Sequence, residues 1–109
     1  MSYRVEITEQ ADADLRGIFA YIAFELKSRQ NAMGQLNRLE ESIYSLDSMP
    51  ERFRAYDKEP WRGKGLRVMP VNNYLVFYIP DAETKTVKVM RVMYGGRDVD
   101  AQLDRLATT

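Results

Sequence analysis

The stretch that decides the fold is residues 66–79, LRVMPVNNYLVFYI. Asn72 and Asn73 suit a two-residue turn, because Asn tolerates positive φ better than most residues. Residues 66–71 and 74–79 on either side are rich in β-branched and aromatic side chains, which predicts a β-hairpin. Pro70 lacks an N–H for the ladder, so we expect the first strand at a sheet edge. The second strand is apolar throughout and is expected in the interior.

The segments outward from this hairpin supply the rest of one sheet and its helices. Residues 86–94 predict a further antiparallel strand, and Tyr3, Val5 and Ile7 alternate with polar residues in an opening strand that we expect beside it. Two apolar stripes at helical spacing, separated by a short turn, predict an αα-hairpin between them. The stripes are Ala11, Leu15, Ile18, Ile22 and Leu26, then Ala32, Leu36, Leu39, Ile43 and Leu46.

The C-terminal residues complete the predicted architecture. Gly95 and Gly96 end the strand pattern, and Asp98 suits the N-cap of a short C-terminal helix. Residues 50–65 are expected to form a long ordered loop. The sequence predicts one α+β domain spanning residues 1–109: an N-terminal strand, an αα-hairpin, an antiparallel three-stranded meander in one sheet with helices on one face, and a short C-terminal helix.

The composition excludes several kinds of chemistry. The 109 residues include no cysteine and no histidine, which excludes disulfides, thiolate nucleophiles and histidine acid–base catalysis. We expect no metal and no cofactor. Because no apolar run approaches the roughly 20 residues that span a bilayer, we expect a soluble, cytoplasmic protein that does not contact membranes.

Charge is balanced overall but unevenly distributed. Lys and Arg number 16, as do Asp and Glu, but residues 52–97 hold 10 basic and 4 acidic side chains. We expect these cations to gather on one exposed face of the sheet, opposite the helical pair. Such a face would suit a nucleic acid or an acidic partner.

The order of elements and the residues together resemble the RelE/ParE toxins of bacterial type II toxin–antitoxin pairs. The residues that carry this resemblance are the opening YRVEIT at 3–8, then Ala13, Leu15, Ile18, Tyr21 and Ile22, residues 46–50, 65–67, 73–78 and 89–92, and finally Gly96, Arg97 and Asp98. The resemblance implies growth inhibition and plasmid stabilisation by the free toxin. It also implies neutralisation by a cognate antitoxin that wraps around it.

Two activities occur among the proteins that this chain resembles. RelE-like members are ribosome-dependent mRNA endoribonucleases that need no metal, whereas ParE-like members bind DNA gyrase and stall it on cleaved DNA. The basic residues of RelE-like nucleases fall here on Leu66, Val68 and Leu75, and only Arg97 matches a RelE-type catalytic arginine. Because most of the nuclease apparatus is missing, the sequence favours gyrase inhibition. Ribosome-dependent RNA cleavage and a degenerate, non-toxic antitoxin-binding protein stay open as alternatives.

Four residues are candidates for a catalytic site, namely Arg67, Arg91, Tyr94 and Arg97. Arg67 points away from its neighbours Leu66 and Val68, either onto an open basic face or into an ion pair with a carboxylate. Arg91 lies within an apolar strand and needs a phosphate or a structural partner, for which Asp98 and Glu6 are candidates.

The placement of the other two candidates depends on the backbone. Tyr94 follows Arg91 by three residues, so the two side chains point to opposite faces unless a bulge interrupts the strand. Arg97 suits a phosphate contact, and Asp98 beside it suits a helix cap.

The loop at 50–65 mixes cations and aromatic residues in a way typical of single-stranded nucleic-acid grips and of interface anchors. The candidate partner-binding or nucleic-acid-binding residues there are Arg54, Lys58, Trp61, Arg62 and Lys64. The alternative is a solvated loop whose Trp61 plugs the edge of the core. We expect a cognate antitoxin as partner and gyrase or the ribosome with its mRNA as target, with a homodimer or a toxin–antitoxin heterotetramer as possible assemblies.

Overall fold

The protein, described here from a computed structural model for residues 2–96 and 99–107, is an α+β fold around one mixed sheet. Its strands are β1 (Arg4–Ile7), β2 (Arg67–Val71), β3 (Tyr74–Asp81) and β4 (Thr86–Tyr94), and its helices are α1 (Glu9–Ala20), α2 (Arg29–Tyr44) and α3 (Val99–Ala107). Among the helices described, none combines the length and apolar character that crossing a membrane requires.

The sheet has the order β1-β4-β3-β2. Strands β2, β3 and β4 pair antiparallel, and β1 runs parallel to β4. The predicted turn is confirmed at Asn72, which has φ 54°, and β2 with its Pro70 lies at the edge. The interior position of β3 and the place of β1 beside β4 are confirmed as well.

The αα-hairpin packs on one face of the sheet. Thr8 fixes where it begins: its Oγ1 accepts from the N–H of Ala11 as an N-cap and donates to the Val89 carbonyl of β4 at 2.8 Å. The apolar stripes then bury against alternate residues of the strands, because side chains on a strand alternate between faces. The largest buried cluster joins Ala11 and Leu15 of α1 and Leu39 and Ile43 of α2 to the sheet.

The end of the first helix is wound more widely than the sequence predicts. The stripe through Ile22 and Leu26 suggests one continuous α-helix, but α1 ends at Ala20 and continues as a π-helix over Tyr21–Glu25. A π-helical turn adds a residue per turn and changes the direction of the side chains. It leaves Tyr21, Phe24 and Leu26 more than half exposed at the tip of the hairpin.

The opposite face of the sheet is covered rather than open. Leu66, Val68 and Phe77 pack there with Trp61 and Tyr56 from the preceding loop, and with Leu103 of α3, in a second buried cluster. The expectation of a bare cationic face opposite the helical pair is therefore wrong. Because the strand residues on that face are apolar, covering them with the loop and α3 is more favourable than leaving them exposed to water.

Tyr78 of β3 joins the helical face of the sheet to the loop that follows α2. Its ring is fully buried, and its hydroxyl donates to the carbonyl of Pro50 at 2.6 Å. Burial disfavours the phenolate and raises the pKa of Tyr78 to about 12.

We predict that Tyr78→Phe lowers the free energy of unfolding by about 1–2 kcal/mol, since it leaves the buried Pro50 carbonyl unpaired. Because the folded-state pKa is raised above the unfolded value, the neutral phenol stabilises the fold below pH 10 and this contribution is lost toward pH 12. Denaturant titrations of the two proteins should therefore converge across that range. Tyr44→Phe, at an exposed position, is the control, and an equally large effect there would contradict the prediction.

Candidate functional site

Asp14, on the buried side of α1, holds the ion pair around which the candidate site is built. Its carboxylate accepts from Arg91 Nε at 2.7 Å, from Arg91 Nη2 at 3.0 Å and from the main-chain N–H of Val92 at 2.9 Å. The two side chains are 11% and 13% exposed. Removing either partner would leave a charge in a poorly solvated place, so the pair fixes α1 against β4.

A β-bulge interrupts β4 directly before Arg91. Phe77 of β3 lies opposite Arg91 and Tyr78 lies opposite Val89, so Met90 is an extra residue. The alternation of faces changes parity across it: Val89 packs against the helical hairpin, and so does Val92. A bulge redirects the following side chains in this way.

Two of the four catalytic candidates line one groove, although the bulge precedes both of them and the register between them is regular. Arg91 and Tyr94 line the same groove, between the helical hairpin and the ends of β3 and β4. The Tyr94 ring contacts Tyr74 edge to face, with ring centroids 5.8 Å apart. A Cβ on Gly96 would come within 2.7 Å of that ring, so this position requires glycine for the ring to stay in place.

The partner of Arg91 differs from the two proposed from the sequence. Glu6 instead pairs with Arg4 through an exposed contact of 2.7 Å, and Asp98 lies outside the described residues, as does Arg97. Asp14 was missed, although its position carries a signal. It stands three residues after Ala11 and four before Ile18, on the apolar stripe of α1, where a carboxylate needs a buried partner.

Arg67 lies apart from the groove. It points away from Leu66 and Val68, as predicted, but these two residues belong to the second buried cluster, so Arg67 faces the hairpin side. Its Nη1 donates to the main-chain carbonyls of Glu51 at 3.1 Å and Phe53 at 2.6 Å. Among the described residues, Arg67 therefore neither lies on an open basic face nor pairs with a carboxylate. Its hydrogen-bond acceptors are the two loop carbonyls.

The loop candidates divide into buried and exposed residues. Trp61 is 4% exposed and plugs the second cluster, with the Lys64 ammonium 5.1 Å from its ring centroid. Lys58 pairs with Asp100 of α3, which also accepts from the Tyr56 hydroxyl. Hydrogen bonding to Asp100 raises the pKa of Lys58, and the same contact lowers the pKa of Asp100. Arg54 and Arg62 are exposed.

The groove has a volume of about 970 Å³. Its walls carry aromatic rings, amides and the Asp14–Arg91 pair, and burial raises the pKa of Tyr74 on one side. The described residues contain no cluster of three or more carboxylate side chains able to hold a metal ion. Chemically the groove offers hydrogen-bond donors and aromatic surface, which suits recognition of a partner better than acid–base catalysis.

Comparisons with known proteins identify the family and its fold. The sequence profile described as the ParE toxin of the type II toxin–antitoxin system parDE matches residues 5–99. No curated protein sequence matches the chain.

Solved structures with the same fold include members of three toxin–antitoxin systems. The chromosomal ParDE system of P. aeruginosa aligns with a TM-score of 0.69 at 17% identity, covering 85% of this chain and 96% of that one. The RelBE2 toxin–antitoxin complex of Mycobacterium tuberculosis aligns at 0.64 with 23% identity, covering 86% and 99%. A mutant of the E. coli toxin RelE in the free state aligns at 0.63 with 15% identity, covering 96% and 98%. At these identities the likeness shows the fold alone.

We predict that Asp14→Ala lowers the free energy of unfolding by about 3 kcal/mol, because it leaves the Arg91 guanidinium unpaired beneath α1. Asp12→Ala, which removes an exposed pairing with Arg16, should cost less than about 1 kcal/mol. Chemical denaturation monitored by circular dichroism measures both. An equal loss of unfolding free energy in the two variants would show that the buried pair stabilises the fold no more than the exposed one.

Proposed function

The chain belongs to the ParE toxin family of type II toxin–antitoxin systems, and from that premise we propose that it binds DNA gyrase and stalls it on cleaved DNA. The resemblance inferred from the residue motifs is thereby confirmed at the level of the family. A cognate antitoxin is its expected regulator, as in the ParDE and RelBE systems that share the fold.

One observation carries the preference for gyrase over mRNA. The positions at which RelE-like nucleases carry basic residues are here Leu66, Val68 and Leu75; the first two are buried in the second cluster with Trp61, and Leu75 is partly buried against that cluster. A nuclease needs cations that contact the scissile phosphate. Apolar side chains packed in a core cannot supply these cations. The surface that would contact mRNA in a nuclease therefore consists here of packed apolar residues.

The remaining cations support the same proposal. Arg91 donates from Nε and Nη2 to a carboxylate, and a phosphate would have to displace Asp14 to reach those atoms. Arg67 donates to two carbonyls of its own chain. Arginine hardly ever gives up its proton and so cannot serve as general base, and the sequence contains no histidine for that role.

We assign the contact with the target to the exposed cations of the loop, Arg54 and Arg62. Both are exposed and form no ion pair within the described residues. The Arg54 carbonyl accepts from the Val68 N–H of β2 at 3.0 Å. Arginine is a frequent anchor in protein interfaces because its planar guanidinium binds several acceptors at once.

The test compares the two activities directly with the purified protein. We predict inhibition of ATP-dependent supercoiling by bacterial gyrase, with linear DNA released after detergent and protease treatment. Ribosomes carrying a defined mRNA in the same buffer should yield full-length transcript by primer extension. Transcript cut within the ribosome, with supercoiling unaffected, would contradict the proposal and establish the nuclease alternative; no effect on either would establish the non-toxic one.

The same supercoiling assay tests the loop. The double variant Arg54→Gln with Arg62→Gln should inhibit gyrase roughly tenfold less well, on the scale of one interface anchor. Arg29→Gln with Lys88→Gln removes the same charge from other exposed positions and serves as the control. An equal loss in both double variants would show that net charge, and not the loop, governs binding.

A further inference from the structure

Gln35 of α2 is a buried amide in the wall of the groove, and its donor is unused. Gln35 is 9% exposed, and its Nε2 has no hydrogen-bond partner among the described residues. The orientation of the amide follows from its contacts, because Oε1 accepts from Arg38 Nη2 at 3.2 Å and arginine can only donate. An unpaired buried donor costs free energy, so a ligand that brings an acceptor into the groove gains a hydrogen bond here.

The guanidinium of Arg38 lies beside this amide and selects an anionic acceptor. Arg38 is exposed, lines the groove and forms no ion pair within the described part of the chain. One of its N–H groups contacts Gln35 Oε1, which leaves the others to donate to a ligand. The carboxylate of Asp14 on the same lining is already occupied by Arg91 and the Val92 N–H. Phosphate oxygens would therefore suit the donors of Arg38 and Gln35, since a charged acceptor strengthens both bonds.

Gly17 leaves open space in the wall that α1 contributes to the groove. A Cβ built there would meet nothing of the surrounding structure within 4 Å, so packing within the protein does not account for the glycine. Glycine inside a helix is less stable than alanine, and this one lies well inside α1. A glycine in a groove wall allows a ligand to approach the backbone closely.

Aromatic rings and amides form much of the remaining wall. Tyr94 is 49% exposed and contacts Tyr74 edge to face, so part of its ring surface is open to a ligand. The side-chain amides of Asn31, Asn73 and Gln102 line the same groove and form no hydrogen bond within the described residues. Each amide offers both a donor and an acceptor, as the edge of a nucleobase does, and the rings offer a surface on which a base can stack.

We propose that this groove binds a free purine nucleoside monophosphate, with the phosphate on Arg38 and Gln35 and the base against the tyrosines and amides. The volume of about 970 Å³ is in the range of small-molecule sites. A purine is favoured over a pyrimidine because its two fused rings stack over a larger area.

A nucleic-acid strand fits the groove less well than a single nucleotide. A strand would need several cations along its backbone, whereas Arg38 is the unpaired cation of the described lining. The groove is also separate from Leu66, Val68 and Leu75, the positions that resemble the nuclease cations, because these lie in or against the second cluster. The inference goes beyond gyrase inhibition and stands whichever target the protein has.

The experiment titrates the full chain with defined nucleotides. AMP, GMP, CMP and UMP are compared with adenosine, which lacks the phosphate, and with ribose 5-phosphate, which lacks the base. Binding is measured by calorimetry, and the side-chain NH₂ signals of Gln35 are followed by NMR. We expect AMP or GMP to bind roughly tenfold more tightly than either fragment, since the charged acceptor and base stacking each contribute about that factor, and to shift the Gln35 signals.

Two variants locate the phosphate. Arg38→Gln and Gln35→Met should each weaken binding of the best nucleotide at least about fivefold, because each removes a donor to the anion. Gln35→Met is expected to fold, since it removes an unpaired polar group and keeps an unbranched side chain. Arg29→Gln, at an exposed position outside the groove lining, removes the same charge as Arg38→Gln and should bind as the parent does.

Gly17→Ala separates ligand binding from stability. The new methyl group enters the groove without touching the surrounding protein, and alanine favours the helix, so the variant should be at least as resistant to denaturant as the parent. We expect it to bind the best nucleotide roughly tenfold less tightly, because one methyl group in a fitted site has about that effect. Asn37→Ala, exposed on α2, also favours the helix and should leave binding unchanged.

Three results would overturn the proposal. The first is no binding of any nucleotide at millimolar concentration, or binding of either fragment or a pyrimidine nucleotide as tight as that of AMP and GMP. The second is nucleotide binding that is unchanged in both Arg38→Gln and Gly17→Ala. The third is tighter binding of a six-nucleotide oligoadenylate than of AMP, lost in the same two variants, which would assign the groove to a nucleic-acid strand.

Discussion

A carboxylate on the apolar face of a helix is the constraint on which the site depends. Asp14 stands in the stripe that joins α1 to the sheet, where it must be paired or expose its helix to water. Arg91 satisfies it from β4, with the Val92 N–H as a third donor. The bulge at Met90 lies next to this pair and changes the alternation of the strand, so that Val92 and Tyr94 face the hairpin. The Asp14–Arg91 ion pair thus joins α1 to β4 next to the bulge, and both of its residues line the groove.

The two faces of the sheet contribute differently to function. The hairpin face carries the larger core and, at its open end, a groove of donors and aromatic rings. The other face is closed by Trp61, Tyr56 and α3 over Leu66 and Val68. The closed face is the one on which nuclease cations would lie by resemblance, and this packing is what supports our proposal of gyrase inhibition.

Periodicity and turn chemistry predict the architecture well and the site only in part. Asn72, Pro70 and the two apolar stripes yield the hairpin, the edge strand and the helical pair, because each is a local preference that the tertiary structure does not oppose. The Asp14–Arg91 pair joins residues 77 positions apart, which no local pattern contains, and the local periodicity carries no signal for the bulge or the π-helix. A weaker signal did exist: Asp14 and Gln35 each occupy the same place in their stripe, three residues after a buried alanine and directly before a leucine. Polar residues at core positions are where function or strain is expected.

The coupling between Asp14 and Arg91 tests the central claim most directly. A double-mutant cycle of Asp14→Leu, Arg91→Met and their combination, followed by denaturant unfolding, isolates the interaction of the two side chains from their separate effects. A buried pair that organises the site predicts a coupling free energy of at least about 2 kcal/mol, with the double variant more stable than either single one. Additive single effects, with a coupling near zero, would contradict the account.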